Sequence, residues 1–238
     1  MQNRRRVGAS RVLFKMCGAL LGSWLASGAV AAEACADSSW IEMKTASGPV
    51  VIELFPDKAP ATVANFLRYV DAKKLDGSSF YRAVRLNNQR SGEIPIEVVQ
   101  GGQYGHELVG GTPMQTFGPV VHETTASSGL LHRHGAISMA RAAPGSATSE
   151  FFISIHDNPA LDEGGQRNPD GQGFAVFGQV RDGMKVVETI QSAATGESQD
   201  MDLGPMRGQL LDEQVTIESV RRVCAPRSRT STEKAASH

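Results

Sequence analysis

A mainly β fold, a closed eight-stranded antiparallel β-barrel with two α-helices, is what this sequence predicts, and three observations predict it. Eight short strand-like runs are spread along the chain, against only two stretches of helical period. Strands and helices do not alternate regularly, which argues against a parallel sheet. The first and last runs are both strands, and closing an antiparallel barrel makes such strands neighbours and removes exposed edges.

The elements follow in order. Trp40–Thr45 alternates Ile41 and Met43 with Glu42 and Lys44. Ser47-Gly48-Pro49 reads as a turn, and Val50–Phe55 as a second, more buried strand. Pro60 suits a first helical turn, and Val63, Phe66, Leu67 and Val70 then recur at helical spacing up to Asp76-Gly77. Short strands are expected at Ser79–Val84, Ile96–Gln100, Gly135–Met139, Glu150–Ile155 and Phe174–Val180. A second helix is expected from Gly183 to Ala193, capped by Asp182, with Met184, Val187 and Ile190 on one face. A last strand runs from about Gln214 to Val223. Long loops remain at 85–95, 103–133 and 162–172, and loops on a rigid scaffold are where binding concentrates.

The chain has 238 residues, 40% apolar and 21% charged, with 25 Gly and 11 Pro, enough for one well-filled domain and unlike collagen, a coiled coil or a disordered chain. Arg4 to Lys15 is basic, Met16 to Ala32 is uncharged, and Ala29, Ala31 and Ala32 precede the first acid, Glu33. That order is the order of a secretory signal, and seventeen residues span only ~25 Å as a helix, short for a bilayer core of ~30 Å. The expected division is a signal peptide at 1–32, a folded domain at 33–224 and a disordered polar tail at 225–238. The expected location is the periplasm or the exterior. Without the leader's five basic residues, 24 Lys and Arg become 19 against 25 Asp and Glu, a net charge of -6. That balance fits a soluble monomer and disfavours nucleic acid; after cleavage no membrane partner is expected. Cleavage also removes Cys17. Cys35 and Cys224 then flank the domain, and an even count in an exported protein points to a Cys35–Cys224 disulfide.

Common chemical motifs are missing. There is no Gly-x-Ser-x-Gly elbow, no phosphate-cradling glycine loop with Lys and Ser/Thr, and no His-Glu-x-x-His. His132 and His134 have no evident third ligand, so they read as surface histidines and no metal is expected.

Three segments stand out together: Ser79-Phe-Tyr-Arg-Ala-Val84, Val98-Val-Gln-Gly-Gly102, and Ile137-Ser-Met-Ala-Arg-Ala142 followed by Ser146-Ala-Thr-Ser-Glu-Phe-Phe-Ile153. With Phe174-Ala-Val-Phe-Gly178 and Gly183-Met-Lys-Val-Val they form an ordered set over about residues 40–223. The set resembles the cyclophilin family of peptidyl-prolyl cis/trans isomerases, most of all its exported bacterial members. The resemblance implies rotation about X–Pro amides in proline-containing exported polypeptides during their folding, with no cofactor. It implies Arg82 as the donor near the prolyl nitrogen and Gln100 as the residue that binds substrate and steadies the arginine, the two catalytic positions. Phe152 corresponds to the floor of the proline pocket and Leu161 to an apolar wall. Met139, Ala140 and Ala142 correspond to a strand edge that pairs with the peptide. Phe80, Val98, Arg141, Glu150 and Phe174, in or beside the same segments, complete the implied substrate-binding set.

The sequence departs from the family pattern in five places. Arg85 to Pro95 is inserted beside the expected site. Glu97 stands where an aromatic is usual, which removes one expected pocket wall, while Val98 at the next position keeps an apolar surface. Glu150 replaces a glutamine and is placed to pair with Arg82 and compete with substrate. Ala160 takes the place of a frequent tryptophan, and Phe174 that of an aromatic or histidine. Glu97 and Glu150 therefore set an alternative beside the isomerase: the same barrel used as a prolyl-peptide-binding or chaperone module with weak or no catalysis.

Overall fold

The computed structural model describes Cys35, residues 38–196 and residues 204–226. The expected leader at 1–32 and residues 227–238 of the expected tail lie outside the described residues. The strands are β1 (Trp40–Thr45), β2 (Gly48–Leu54), β3 (Ser79–Val84), β4 (Val98–Gly102), β5 (Ala136–Met139), β6 (Phe151–Ser154), β7 (Ala175–Asp182), β8 (Thr195–Gly196) and β9 (Leu210–Val223). The helices are α1 (Pro60–Asp71), α2 (Tyr104–Leu108), α3 (Thr125–Ser128) and α4 (Met184–Ser192), with single 3₁₀ turns at Pro159–Leu161 and Gly204–Met206. All eight expected strands and both expected helices are present. The 103–133 and 193–209 stretches add the short α2, α3 and β8, whose few residues carry no readable period.

The strand order is β1-β2-β7-β5-β6-β4-β3-β9, and β1 pairs with β9 to close the ring. Every pairing is antiparallel, and β8 only extends the edge of β9. The β1–β2 turn is Ala46-Ser47, one residue earlier than expected, because Gly48 already pairs with Thr45. Pro49 is tolerated in β2 because pairing with β7 begins only at Val51. Ile41, Met43, Ile52, Phe80, Val99, Ile137, Phe151 and Phe177 point into one core, joined by Phe66 of α1 and Val187 and Ile190 of α4. Phe66 lies 5.0 Å from Phe177 and 5.8 Å from Phe151, ring to ring.

Helix α1 cannot cap itself. Pro60 removes one of its orphan donors, and Ala59 at the N-cap has no side-chain oxygen. Glu123, more than sixty residues on, does the work: its carboxylate accepts from Ala61 N (3.0 Å), Thr62 N (2.8 Å) and Thr62 Oγ1 (2.6 Å). The 103–133 loop is thus an external cap for α1, and the negative charge also suits the helix N-terminus. The same loop docks Phe117 on Tyr69 of α1, whose Oη accepts from Phe117 N at 2.7 Å. Helix α4 differs from expectation. Its N-cap is Gly183 at φ +82°, and a side chain there would strike the Pro49 carbonyl. Asp182 accepts only from Gly183 N instead of capping the first turn.

Cys35 and Cys224 are joined, with Cα atoms 4.9 Å apart and 189 residues between them. The bond lies just outside the Trp40–Val223 pair and so ties the two strands whose pairing closes the barrel.

Two outcomes follow for stability. Replacing Glu123 by Ala strips α1 of its external cap and is expected to cost about 1–2 kcal/mol in denaturant unfolding. Reducing the disulfide, or replacing both cysteines by Ser, is expected to cost about 2–5 kcal/mol, because it frees a long loop in the unfolded chain. A melt unchanged by reductant would contradict the second expectation.

Candidate active site

The site begins with an irregularity in β3. Phe80 pairs with Gly101 and Arg82 pairs with Gln100, so Tyr81 is an extra residue, a β-bulge. Strict alternation would send Phe80 and Arg82 to the same face. The bulge instead leaves Phe80 and Ala83 in the barrel core and turns Tyr81 and Arg82 together to the outside. On β4, Val99 faces in, while Val98 and Gln100 face out beside them.

Arg82 is gripped by two amides. Its Nη1 donates to Gln100 Oε1 (2.9 Å), and its Nε and Nη2 donate to Gln209 Oε1 (2.9 and 2.6 Å). Gln100 Nε2 then donates to Tyr81 Oη (2.6 Å), and Tyr81 donates to Glu150 Oε2 (2.7 Å). Glu150 Oε1 accepts from Tyr104 N (3.0 Å) and Ser149 Oγ (3.2 Å). The carboxylate sits over Gly102 at φ +145°, where a Cβ would collide with it. Burial pulls the Arg82 guanidinium down to about 10, still cationic at neutral pH. Burial, then the Glu150 charge, push the Tyr81 phenol well above its ordinary value, so it keeps its proton. Burial also raises the Glu150 carboxyl, against hydrogen bonds led by Tyr104 N that lower it.

Beside Arg82 lies a separate apolar cluster on the outer face of the barrel: Val84, Ile96, Val98, Phe152 and Leu161, with Ala140, Ala160 and Phe174 packed on it. Phe174 stands at 88° to Phe152 with centroids 5.3 Å apart, a floor and a wall. Arg141 holds that wall. Its Nε donates to Gly173 O (2.9 Å), its guanidinium pairs with Asp170 (2.8 and 2.9 Å), and it lies 5.1 Å from the Phe174 ring. This pairing brings the Asp170 carboxyl down to about 2. Arg82, Gln100 and the apolar residues line one cleft of about 690 Å³. Hollows of about 640 and 610 Å³ lie beside β9 and along α1, so size does not single out the site. What does is the meeting of a held cation with an apolar cluster.

The cleft gathers Arg82, Gln100, Val98, Ala140, Arg141, Ala142, Phe152, Leu161 and Phe174. It does not include Phe80 or Met139, whose side chains are in the barrel core because their strand positions face inward. Ala140 N donates to Glu150 O, Ala142 N donates to Ser146 Oγ and Ala142 O accepts from Arg141 Nη1 (3.4 Å), so these groups already have partners within the chain. Glu150 does not touch Arg82. It lies behind Tyr81, which takes the hydrogen bond that the sequence alone assigned to the arginine. Glu97 leaves no gap either. It points out toward His156 (3.4 Å), and period 2 brings Ile96 into the wall. His132 is not a surface residue. It is buried parallel to Phe152, its Nδ1 2.7 Å from Asp162 Oδ1 and its Nε2 3.1 Å from Ser138 Oγ, and burial lowers its pKa, so the neutral ring donates to Asp162. Ser138 is itself buried, so this trio anchors the pocket floor and offers no exposed nucleophile. Among the described residues no group of three His, Cys, Asp or Glu is placed for a metal ion. Sequence reading missed Ile96, which the alternation back from Val98 signals, and Gln209, which no local pattern signals.

Comparison with known proteins shows the family and the fold. The sequence profile described as cyclophilin type peptidyl-prolyl cis-trans isomerase/CLD matches residues 40–221, and the chain belongs to that family. It is 36% identical over 172 residues to the peptidyl-prolyl cis-trans isomerase cyp18 of Streptomyces antibioticus, covering 71% of this chain and 94% of that one. It is 36% identical over 181 residues to peptidyl-prolyl cis-trans isomerase B of Escherichia coli K12, covering 76% and 97%. The fold matches a crystal structure of a cyclophilin type isomerase from Cryptosporidium parvum with a TM-score of 0.56 at 19% identity, over 79% of this chain and 99% of that one.

Replacing Glu150 by Gln tests its place behind Tyr81. An amide has only one oxygen for the Tyr81 and Tyr104 donors, so one of them faces an NH2 group. Activity is expected to fall several-fold, whereas a carboxylate competing for Arg82 would make it rise. The stability effect depends on pH. The folded-state carboxyl is raised, so its contribution is full below the ordinary Glu range and is lost as pH rises through the raised value. The wild type is therefore expected to gain on Glu150→Gln in denaturant melts as pH falls from 7 to about 4.

Proposed function

We propose that this chain is a peptidyl-prolyl cis/trans isomerase acting on proline-containing polypeptides outside the cytoplasm. A peptide bond resists rotation by ~18–20 kcal/mol because the nitrogen lone pair is delocalised. An X–Pro bond therefore exchanges over tens to hundreds of seconds unaided. Rotation needs no covalent step. It needs a site that fits the twisted amide better than either planar form. The pocket of Val98, Phe152, Leu161 and Phe174 seats the proline ring, and the chain on its acyl side is left to swing. Arg82 then donates toward the prolyl nitrogen as its lone pair localises, an interaction stronger in the twisted state than in the planar one. Gln100 holds the guanidinium and meets the peptide.

The observation that carries this reading is the held cation, Arg82, at the lip of an apolar pocket. Export is supported by the basic, apolar, small-residue order of the first 32 residues and by a disulfide that suits an oxidising compartment. We place the protein in the periplasm or outside the cell, with the exported bacterial members of its family, as a monomer that binds neither nucleic acid nor membrane after leader removal.

The experiment is isomerisation of a short X–Pro peptide by residues 33–238 and by Arg82→Ala, followed by NMR exchange. The wild type is expected to accelerate exchange, and Arg82→Ala to lose about 100-fold or more in kcat/KM. Folded wild type that binds the peptide without speeding exchange would identify a binding module instead.

A further inference from the structure

We propose that Gln209 is a positioning residue for Arg82, held by the 85–95 insertion, and that it aims the cation without neutralising it. The proposal rests on the isomerase reading above and adds to it the part that fixes the donor.

A guanidinium carries five N–H groups. Gln209 Oε1 takes one from Nε and one from Nη2, and Gln100 Oε1 takes one from Nη1. One N–H remains on each Nη for a substrate. The Nε/Nη2 fork is the side of an arginine that a carboxylate ordinarily grips in two bonds. Here a single neutral oxygen occupies it. All three of these bonds end on amides, so none of them pairs Arg82 with a carboxylate.

Gln209 is itself buried and cannot turn over. Its Nε2 donates to the Asn88 carbonyl (2.9 Å), and a flipped amide would set that NH2 against the guanidinium. Asn88 belongs to the insertion and is fixed in turn. Its Nδ2 donates to Ala83 O (2.9 Å) and Gly208 O (3.3 Å), and its Oδ1 accepts from Arg85 N (2.7 Å). Arg85 is bound to the carbonyls of Gln191 and Ala193 at the end of α4, and Arg90 to that of Gly204. The insertion and the turn before β9 thus form one pad behind Arg82. The insertion faces two ways: Glu93 lines the cleft, and Gln89, Glu93 and Ile94 O hold Arg167 there, while Asn88 faces the support of Arg82.

The test compares Gln209→Ala, Gln209→Glu and Asn88→Ala with wild type. Three quantities are read: the exchange rate of enzyme-bound X–Pro peptide, the peptide Kd, and the Arg82 Nε–H resonance in 15N spectra. Gln209→Ala is expected to slow bound exchange about tenfold with Kd within about twofold, because the proline pocket is untouched. The Nε–H signal should shift or broaden. Gln209→Glu supplies Arg82 a stronger acceptor but, when ionised, cannot donate to the Asn88 carbonyl, so a partner needed only to fill the fork of Arg82 would be preserved. The expected result is instead a sharp Nε–H signal with slowed exchange at neutral pH, recovering as pH is lowered into the carboxyl range. Asn88→Ala, which touches neither Arg82 nor the pocket, should slow exchange a few-fold and carries the same test if Gln209→Ala fails to fold. Bound exchange within twofold of wild type in all three variants, a loss seen only in Kd, or a Gln209→Glu protein as fast as wild type would overturn the proposal. If the wild type rotates no peptide, the isomerase reading falls, and the Nε–H signal still reports whether Gln209 holds Arg82.

Discussion

In a closed ring of eight strands every strand has two neighbours, so each side chain must face either the sealed interior or the outer surface. Apolar side chains on the inner face make the core, and whatever sits at alternate positions is delivered to the outside. The candidate cleft is made from that second set: Val98 and Gln100 flank inward-facing Val99, and Phe152 lies between inward-facing Phe151 and Ile153. One exception gives the site its character. The extra residue in β3 breaks the alternation once, so that Tyr81 and Arg82 face outward together while Phe80 and Ala83 keep their places in the core. Without that shift the phenol and the guanidinium would be on opposite sides of the wall.

What was legible in the sequence follows from the same constraint. Period-2 runs and the two helical stretches marked the regular elements, and the motif segments located Arg82, Gln100 and Phe152, because these depend on neighbours close in sequence. Phe80 and Met139 lie in the right segments but on the wrong face, which a segment match does not distinguish. Glu97 was misread for the converse reason. Counting three residues back from Gln100 finds the acid, whereas the strand's alternation brings Ile96 to the wall. His132 has two partners, Asp162 and Ser138, one of them thirty residues on, so nothing local marked it as buried.

Long-range polar contacts are the illegible part, and they share a form. In each, a segment without regular structure supplies a hydrogen-bond partner that a regular element lacks. Glu123 caps a helix that starts with alanine and proline. Arg85 crosses to the carbonyls at the end of α4. Gln209 reaches an arginine 127 residues earlier. The long loops, expected on general grounds to bind ligands, do line the cleft through Glu93, Arg167, Asn168 and Pro169, and they also complete the hydrogen bonding of α1, α4 and Arg82. Their irregular backbone is bound to the fold at several points, which makes them suitable supports for a residue that must not move.

The polar chain across the site has a determined direction. Arginine can only donate, so Gln100 must turn its oxygen to Arg82 and its nitrogen to Tyr81. Tyr81 must then accept with its oxygen and donate its O–H to Glu150, which accepts as a carboxylate. The raised phenol value keeps that proton in place. The negative charge at the end of the chain therefore acts on Arg82 mainly by ordering the amide between them. In direct contact it would do something different: at 4 Å and an effective dielectric of 20, an ion pair is worth about 4 kcal/mol, and a substrate amide would have to compete with it. Two glutamine oxygens set against the guanidinium, with the Glu150 carboxylate kept two side chains away, give the arginine a fixed geometry and leave an N–H on each Nη unused by these bonds at the cleft.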